Sequence, residues 1–311
     1  MRAAVVDRYG APEVVRVAEV PRPEPRAGQV LVRVRAVAVT SGDARIRAAR
    51  FPKGFGVLGR LALGLRGPRR PVLGGSLSGE VVEGAGFAPG DEVCGMSGIR
   101  LGAHAEYAAV PAAKLVRKPA GVSHEDAAGL LFGGSTALCF LRDKGSVSAG
   151  HKVLVNGASG AIGTNAVQLA KHFGAEVTAV TSARNAELAT SLGADHVLDY
   201  TTGALDRTTD RYDLVLDAVG TLTARSGRRL LTDGGTLLLA VASLADNVLP
   251  RRNVVTAVAP EQPEAFTFLL GLVEKSVLRV VLDEVLDLSD IVRAHQRVDS
   301  GRKVGNIIVR P

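Results

Sequence analysis

Residues 153–163 read VLVNGASGAIG, and the chain runs on through 161–174 as AIGTNAVQLAKHFG. A short apolar run ends in Gly157, Gly160 and Gly163 and passes directly into a stretch with helical spacing. This is the sequence form of a dinucleotide site: a buried parallel strand, a glycine turn that lets the backbone approach a diphosphate, and a helix whose first-turn N–H groups bind the anion. The candidate cradle is Gly157, Ser159, Gly160, Ala161, Ile162 and Gly163. The spacing is G-x-x-G-x-x-G rather than G-x-G-x-x-G, so the glycines alone are weak and their place between strand and helix carries the reading. The alternative is an ordinary strand-turn-helix with packing glycines.

The pattern downstream favours the nucleotide site. EVTAVTS (176–182), DHVLDY (195–200), YDLVLDAVG (212–220), GTLLLAVA (235–242) and NVVTAVA (253–259) are apolar runs rich in β-branched residues. Between them, NAELATSLGA and TLTARSGRRLLTDGG carry helical spacing and end at Gly193 and Gly234, where a left-handed cap costs glycine nothing. Alternating β-α-β predicts an α/β fold with a doubly wound parallel sheet of about six strands.

A chain of 311 residues exceeds the usual span of one domain, and 46% hydrophobic content suffices for two cores. No uncharged stretch reaches the ~20 residues of a bilayer span, and MRAAVVDRYG has no apolar segment of signal-peptide type, so a soluble cytoplasmic protein is expected. Cys94 and Cys139, the two cysteines, are far apart and read as small buried hydrophobes. Residues 1–122 give short alternating runs such as QVLVRVRAVAVT and SLSGEVVEGAG, punctuated by Pro21, Pro23, Pro25, Gly28, Pro89 and Gly90, which predicts mostly antiparallel β structure. Residues 123–259 form the nucleotide domain. After 260 come one amphipathic helix, a strand, a short helix and a last strand, NIIVRP, which are expected to return to the first domain.

With these residues in place the chain resembles the medium-chain dehydrogenase/reductase superfamily, in its zinc-independent quinone oxidoreductase branch. The resemblance covers nearly the whole length. It is carried by AVAVTSGDARIRA (36–48), GAHAEYAAVPAAKL (102–115), GGSTAL (133–138), GASGAIG (157–163), LATSLGADHVLDY (188–200), LDAVG (216–220) and GRKVGNIIV (301–309). It implies a GroES-like domain, a Rossmann domain, an active-site cleft between them, and a homodimer that pairs edge strands of two Rossmann sheets.

In the superfamily's alcohol dehydrogenases a cysteine stands three residues before an aspartate, and Gly-His-Glu follows. The matching positions here are Thr40 before Asp43, then Gly74, Gly75 and Ser76. A catalytic zinc needs three ligands of Cys, His or carboxylate type, and the four-cysteine lobe of the structural zinc is missing too, so no metal is expected. Without a Lewis acid the acceptor should already be electrophilic, as quinones and conjugated enones are. Hydride would then come from a reduced nicotinamide, with the protein supplying orientation and a hydrogen bond.

About 20 residues past the turn an NAD site usually has Asp or Glu, whereas this chain has Thr181 and Ser182, then Ala183, Arg184 and Asn185. Arg184 can pair with a 2′-phosphate, and the resemblance adds Tyr200 at the adenosine end, so the expected cofactor is NADPH. Ser182 and Asn185 also read as helix caps. By resemblance Thr136 stands where a helix opens against the nicotinamide, Thr40 replaces a cleft asparagine, and Val219, Val241, Ala242, Ser243 and Asn306 face the cofactor. Each has a bland alternative: Thr136 as a cap, Thr40 as a strand end, Asp43 as the cap of ARIRAA. His104 is a candidate proton donor or a packing residue. Phe51 falls where enoyl-thioester reductases of the superfamily carry a tyrosine, which argues against a reductase using that tyrosine.

Net charge is +7, and much of it lies in RIRAARFPKGFGVLGRLALGLRGPRR (45–70), where Arg45, Arg47, Arg50, Lys53, Arg60, Arg66, Arg69 and Arg70 interleave with apolar residues and no acid. Three readings stand: a cover over the cleft that attracts an acidic substrate, a patch that docks on an anionic membrane, or a solvated lobe. With 4% aromatic residues and no RNA-binding motif, nucleic acid is not an expected partner. The reading is an NADPH-dependent quinone oxidoreductase. The alternatives are an enone or enoyl reductase and a cofactor-binding protein without catalysis.

Overall fold

The computed structural model describes residues 1–248 and 252–311. Strands Lys152–Asn156, Glu176–Thr181, His196–Asp199, Tyr212–Asp217, Leu231–Leu239 and Val254–Thr256 form one parallel sheet in the spatial order third, second, first, fourth, fifth, sixth. Val153, Leu154 and Val155 are fully buried, as the continuous apolar run requires of a strand covered on both faces. The order reverses between the first and fourth strands. In open α/β sheets, ligands sit at the carboxyl ends of strands at such a reversal.

Gly193 ends its helix with φ +103° as the sequence predicts, but Gly234 caps nothing. The helix of that stretch is only Ala224–Arg228, and Leu231 already pairs with Tyr212. The next paired residues are Thr236 and Leu214, so Thr232–Gly235 bulge out of the strand. Leu230 and Leu231 mimic a helical stripe because they enter the core next to Tyr212 from the turn and the first residue of a strand.

The first domain is a second sheet of seven strands. At its centre the eleven-residue strand Gln29–Val39 pairs with Ser76–Gly84 on one side, and on the other with Tyr107–Pro111 along its first half and Asn306–Arg310 along its second. Asn306–Arg310 also pairs in parallel with Leu282–Asp287, so the segment after 260 supplies two strands to this sheet. Its first helix behaves differently. Pro263–Glu274 buries Phe266, Leu269 and Leu270 in the core of the nucleotide domain, against the helix His124–Leu138. That long helix joins the two domains: it packs on Gln29–Val39 and Ser76–Gly84, and Gly133 approaches the Ala161 carbonyl so closely that a Cβ would lie 2.2 Å from its oxygen. Among the described residues no helix is long and apolar enough to cross a membrane.

Candidate active site

The turn after the first parallel strand is shaped by backbone clearance. Gly157 has φ +85°, a conformation L side chains rarely adopt, and a Cβ there would lie 2.7 Å from Val219 Cγ1. At Gly163 a Cβ would lie 2.1 Å from the Gly157 carbonyl oxygen, so the helix packs on the turn only through glycine. Gly160 caps the helix Ala161–His172 without a side-chain hydrogen bond. The first acceptor inside that helix goes to Thr164 (2.9 Å to Gly160 O), so the N–H groups of Ile162 and Gly163 have no partner among the described residues, while Ala161 N faces Gly305 across a parallel bridge. Backbone that close, with donors that free, fits a diphosphate. Ser159 braces the turn instead of facing outward: its Oγ lies 3.0 Å from Thr181 Oγ1 and its carbonyl accepts from Gly305 N at 2.8 Å.

In front of the turn lies a cavity of about 400 Å³ between the domains. Gly157, Gly160, Ala161, Ile162, Gly163, Val219, Val241 and Thr136 line it, as the sequence suggests for the cofactor, and Met96, Phe132 and Phe140 add an apolar wall the sequence did not flag. Thr136 lies near the end of its helix rather than the start. Ser123 opens that helix, accepting from Asp126 N at 3.0 Å, so Thr136 is no cap, and its hydroxyl donates to the Phe132 carbonyl at 2.8 Å. The lining includes no cysteine or histidine. It has one carboxylate, Glu261, paired with Lys114, and among the described residues no three metal-ligating side chains converge.

At the ends of the second and third strands, Thr181 pairs in register with Asp199, so Ser182 and Tyr200 follow side by side. Arg184 and Tyr200 are exposed there, on the same sheet edge. The helical turns at 183–185 and 186–191 take no side-chain hydrogen bond from Ser182 or Asn185, so neither polar group is used as a cap. Asp199 is held down in pKa by hydrogen bonds from Thr201, with the Ala183 N–H adding to the effect.

The three candidates for catalysis do not reach the cleft. Asp43 is 3% exposed and accepts from Thr40 Oγ1 (2.6 Å), Thr40 N (2.8 Å) and Gly74 N (3.0 Å), while Thr40 Oγ1 accepts from Asp43 N at 3.2 Å. Their polar atoms form a reciprocal capping box that also anchors the Gly74 loop. The cavity is instead lined by the next residues, Ser41 and Gly42. His104 is buried beneath Gly74, with Nε2 3.2 Å from the Ala38 carbonyl oxygen, and meets His295 edge to face at 6.0 Å. Burial pushes His295 down to about 3, and neither of its ring nitrogens has a partner among the described residues. Asn306 is turned away as well, donating from Nδ2 to the Val281 carbonyl at 3.1 Å inside the sheet of the first domain. Its neighbourhood nevertheless supplies the cleft: Gly301 and Lys303 line it, and burial lowers Lys303 to about 8.

Asp217, fully buried at the end of the fourth strand, organises the loop that carries Val219. Its carboxylate accepts from Asn156 Nδ2 (3.0 Å) and the N–H groups of Val219 (3.1 Å), Gly220 (3.1 Å) and Leu222 (2.8 Å). Two polar residues, Asn156 and Asp217, closing otherwise apolar parallel strands were the available signal. Cys94 and Cys139 are buried, and burial pushes the Cys94 thiol up to about 12, so neither is a nucleophile near neutral pH.

The basic segment divides. Arg45, Arg50, Phe51, Pro52 and Lys53 line a second cavity against Val219–Gly220, Leu222–Thr223, Val241–Ser243 and Ala245–Asp246, which includes Ala242 and Ser243. Leu244 N donates to the Lys53 carbonyl at 2.9 Å, which ties the segment to the nucleotide domain. Beyond it the helix Gly56–Leu63 exposes Val57, Leu58 and Leu61.

Two family models match the sequence: an alcohol dehydrogenase GroES-like domain over residues 26–120 and a zinc-binding dehydrogenase over 192–309. A chloroplast envelope quinone oxidoreductase homolog of Arabidopsis thaliana is 30% identical, with 94% of this chain and 93% of that protein covered. An NADPH-dependent alkenal/one oxidoreductase of the same plant is also 30% identical, over 100% of this chain and 80% of the relative. Among solved structures, the quinone oxidoreductase from Coxiella burnetii superposes with a TM-score of 0.89 at 28% identity, covering 100% of this chain and 99% of that one.

Proposed function

We propose, on the premise that this chain belongs to the quinone oxidoreductase branch of the medium-chain dehydrogenase/reductase superfamily, that it is an NADPH-dependent oxidoreductase passing hydride to a quinone or a similarly activated acceptor. The observation that carries this is the cavity of about 400 Å³ in which a glycine turn with the free N–H groups of Ile162 and Gly163 opens onto an apolar wall of Met96, Phe132 and Phe140. An enone is the second acceptor class, supported by the likeness to the alkenal/one oxidoreductase.

Bound NADPH supplies the hydride; the chain supplies everything else. The Ile162 and Gly163 N–H groups would hold the diphosphate, Gly157 and Val219 set its depth, and Arg184 with Ser182 and Tyr200 forms the surface for the 2′-phosphate end. Thr136 spends its proton on a carbonyl, which leaves Lys303 as the cleft side chain with a proton to give near neutral pH. Zinc does not fit: the positions that match the superfamily's ligands are Thr40, Gly74, Gly75 and Ser76, and the Ser76 hydroxyl donates to the Ala128 carbonyl at 2.6 Å. The same reading makes the protein a cytoplasmic homodimer paired through the edge strand Val254–Thr256. The test is NADPH and NADH oxidation against ortho- and para-quinones and alkyl enones, with and without a chelator. Chelator-insensitive, NADPH-selective turnover is the expected result, and loss of activity on chelation would overturn zinc independence.

A further inference from the structure

Arg45, in the helix Ser41–Ala48, differs from the arginines that follow it. Arg47 is fully buried but donates to the Gly10 carbonyl and to Asp299, both at 2.6 Å, and Arg50 shares Asp299. The Arg45 guanidinium has no hydrogen bond and no ion pair among the described residues, yet the residue is half-buried and lines both cavities, standing in the wall between the cleft and the chamber under the basic segment. Burial alone lowers its pKa, with no carboxylate near enough to oppose the effect. A desolvated cation without a counter-ion is costly unless a ligand completes it.

The surroundings say what kind of ligand. Lys53, also without an ion-pair partner among the described residues, and Arg50 stand on the second cavity. The acids present are engaged: the Asp246 carboxylate takes the Ser243 hydroxyl at 2.6 Å, and Glu261 in the cleft is paired with Lys114. Phe51, Val219 and Val241 give the space apolar sides. A guanidinium fork matches a carboxylate in two parallel hydrogen bonds, which a neutral acceptor cannot return.

We propose that Arg45, with Lys53 and Arg50 beside it, is an anion receptor that selects acceptors carrying a carboxylate on their unsaturated or quinonoid frame. The reducible ring lies in the apolar cleft and the acid reaches back to Arg45. This rests on the hydride-transfer reading above.

The test compares a benzoquinone bearing a propionate chain with its methyl ester, at saturating NADPH on the whole protein. The acid is expected to exceed the ester in kcat/KM by roughly tenfold to a hundredfold, and Arg45→Ala to collapse that ratio, with Arg45→Lys in between because it keeps the charge and loses the fork. Added salt should depress the acid and spare the ester. A ratio near one in the parent protein, or an unchanged ratio in Arg45→Ala, overturns the proposal while leaving the enzyme reading in place. A raised KM for NADPH with the ratio intact would put Arg45 on the cofactor and also overturn it. If no quinone or enone is reduced at all, the enzyme reading fails, and calorimetric binding of an aryl carboxylate against its amide decides the receptor separately: binding of the acid that Arg45→Ala abolishes keeps it, and no preference ends it.

Discussion

Replacing Lys303 by methionine tests the proton delivery. Lys303 sits in the cleft with its Nζ donating to the Gly305 carbonyl at 2.6 Å, and burial brings it from 10.5 to about 8. A lysine lowered by burial is protonated below that value and loses its proton as pH rises through it. With a pKa of about 8, the acid form falls from about 90% at pH 7 to about 10% at pH 9, so a rate that needs it drops about tenfold. The assay is kcat for NADPH oxidation by a quinone across this range, with KM for NADPH determined separately. Lys303→Met should lose the alkaline limb and fall at least tenfold in kcat near pH 7, where solvent must replace the donor. An identical limb in parent and variant would refute the assignment. Because Gly305 pairs with Gly160 of the phosphate turn, one other outcome is defined in advance: a raised KM for NADPH with the limb intact would make Lys303 a phosphate contact.

Arg184→Ala should raise KM for NADPH by about tenfold to a hundredfold and leave NADH nearly unchanged, and equal effects on both would remove the 2′-phosphate assignment. Gly163→Ala forces a Cβ to within 2.1 Å of the Gly157 oxygen, so calorimetry should show NADPH binding weakened by at least tenfold, with a stability loss of about 1–3 kcal/mol by urea unfolding. Asp217→Asn replaces one acceptor oxygen by a donor amide facing backbone N–H groups; the expected loss is about 1–3 kcal/mol in the same unfolding experiment, and none would show that the Val219 loop holds itself.

The nucleotide domain was legible because a parallel sheet covered on both faces must be written in continuous apolar runs, and the turn at 157–163 has room for nothing larger than glycine at Gly157 and Gly163. The cleft was harder to read. Thr40 and Asp43 are a polar pair by type, but their spacing of three is also that of a capping box, and only in the folded chain do both partners prove satisfied. His104 looks titratable in sequence, yet the Gly74 loop and His295 enclose it. Asn306 and Lys303 are separated by three positions in one short run, and which of them faces the cleft depends on strand pairing with Val281–Leu282, a contact more than twenty residues away. The basic segment announced a charge but not a direction: that Arg45 lacks the partner Arg47 and Arg50 find in Asp299 follows from a helix far along the chain.

The placement of Asn306–Arg310 beside Val37–Val39 sets an order of events during synthesis. Every strand of the parallel sheet has emerged once Thr256 clears the ribosome, and the helix that completes its core ends at Glu274, so the nucleotide domain can assemble while the chain is still growing. The first domain, although made before it, must wait with the second half of one flank of its central strand unpaired until Asn306–Arg310 is free. Over that interval Val37, Ala38 and Val39 present an open, apolar β edge, the kind that pairs with neighbouring chains. The domain translated before the nucleotide domain is therefore the one that matures after it, and its open edge is where a nascent-chain chaperone would be most needed.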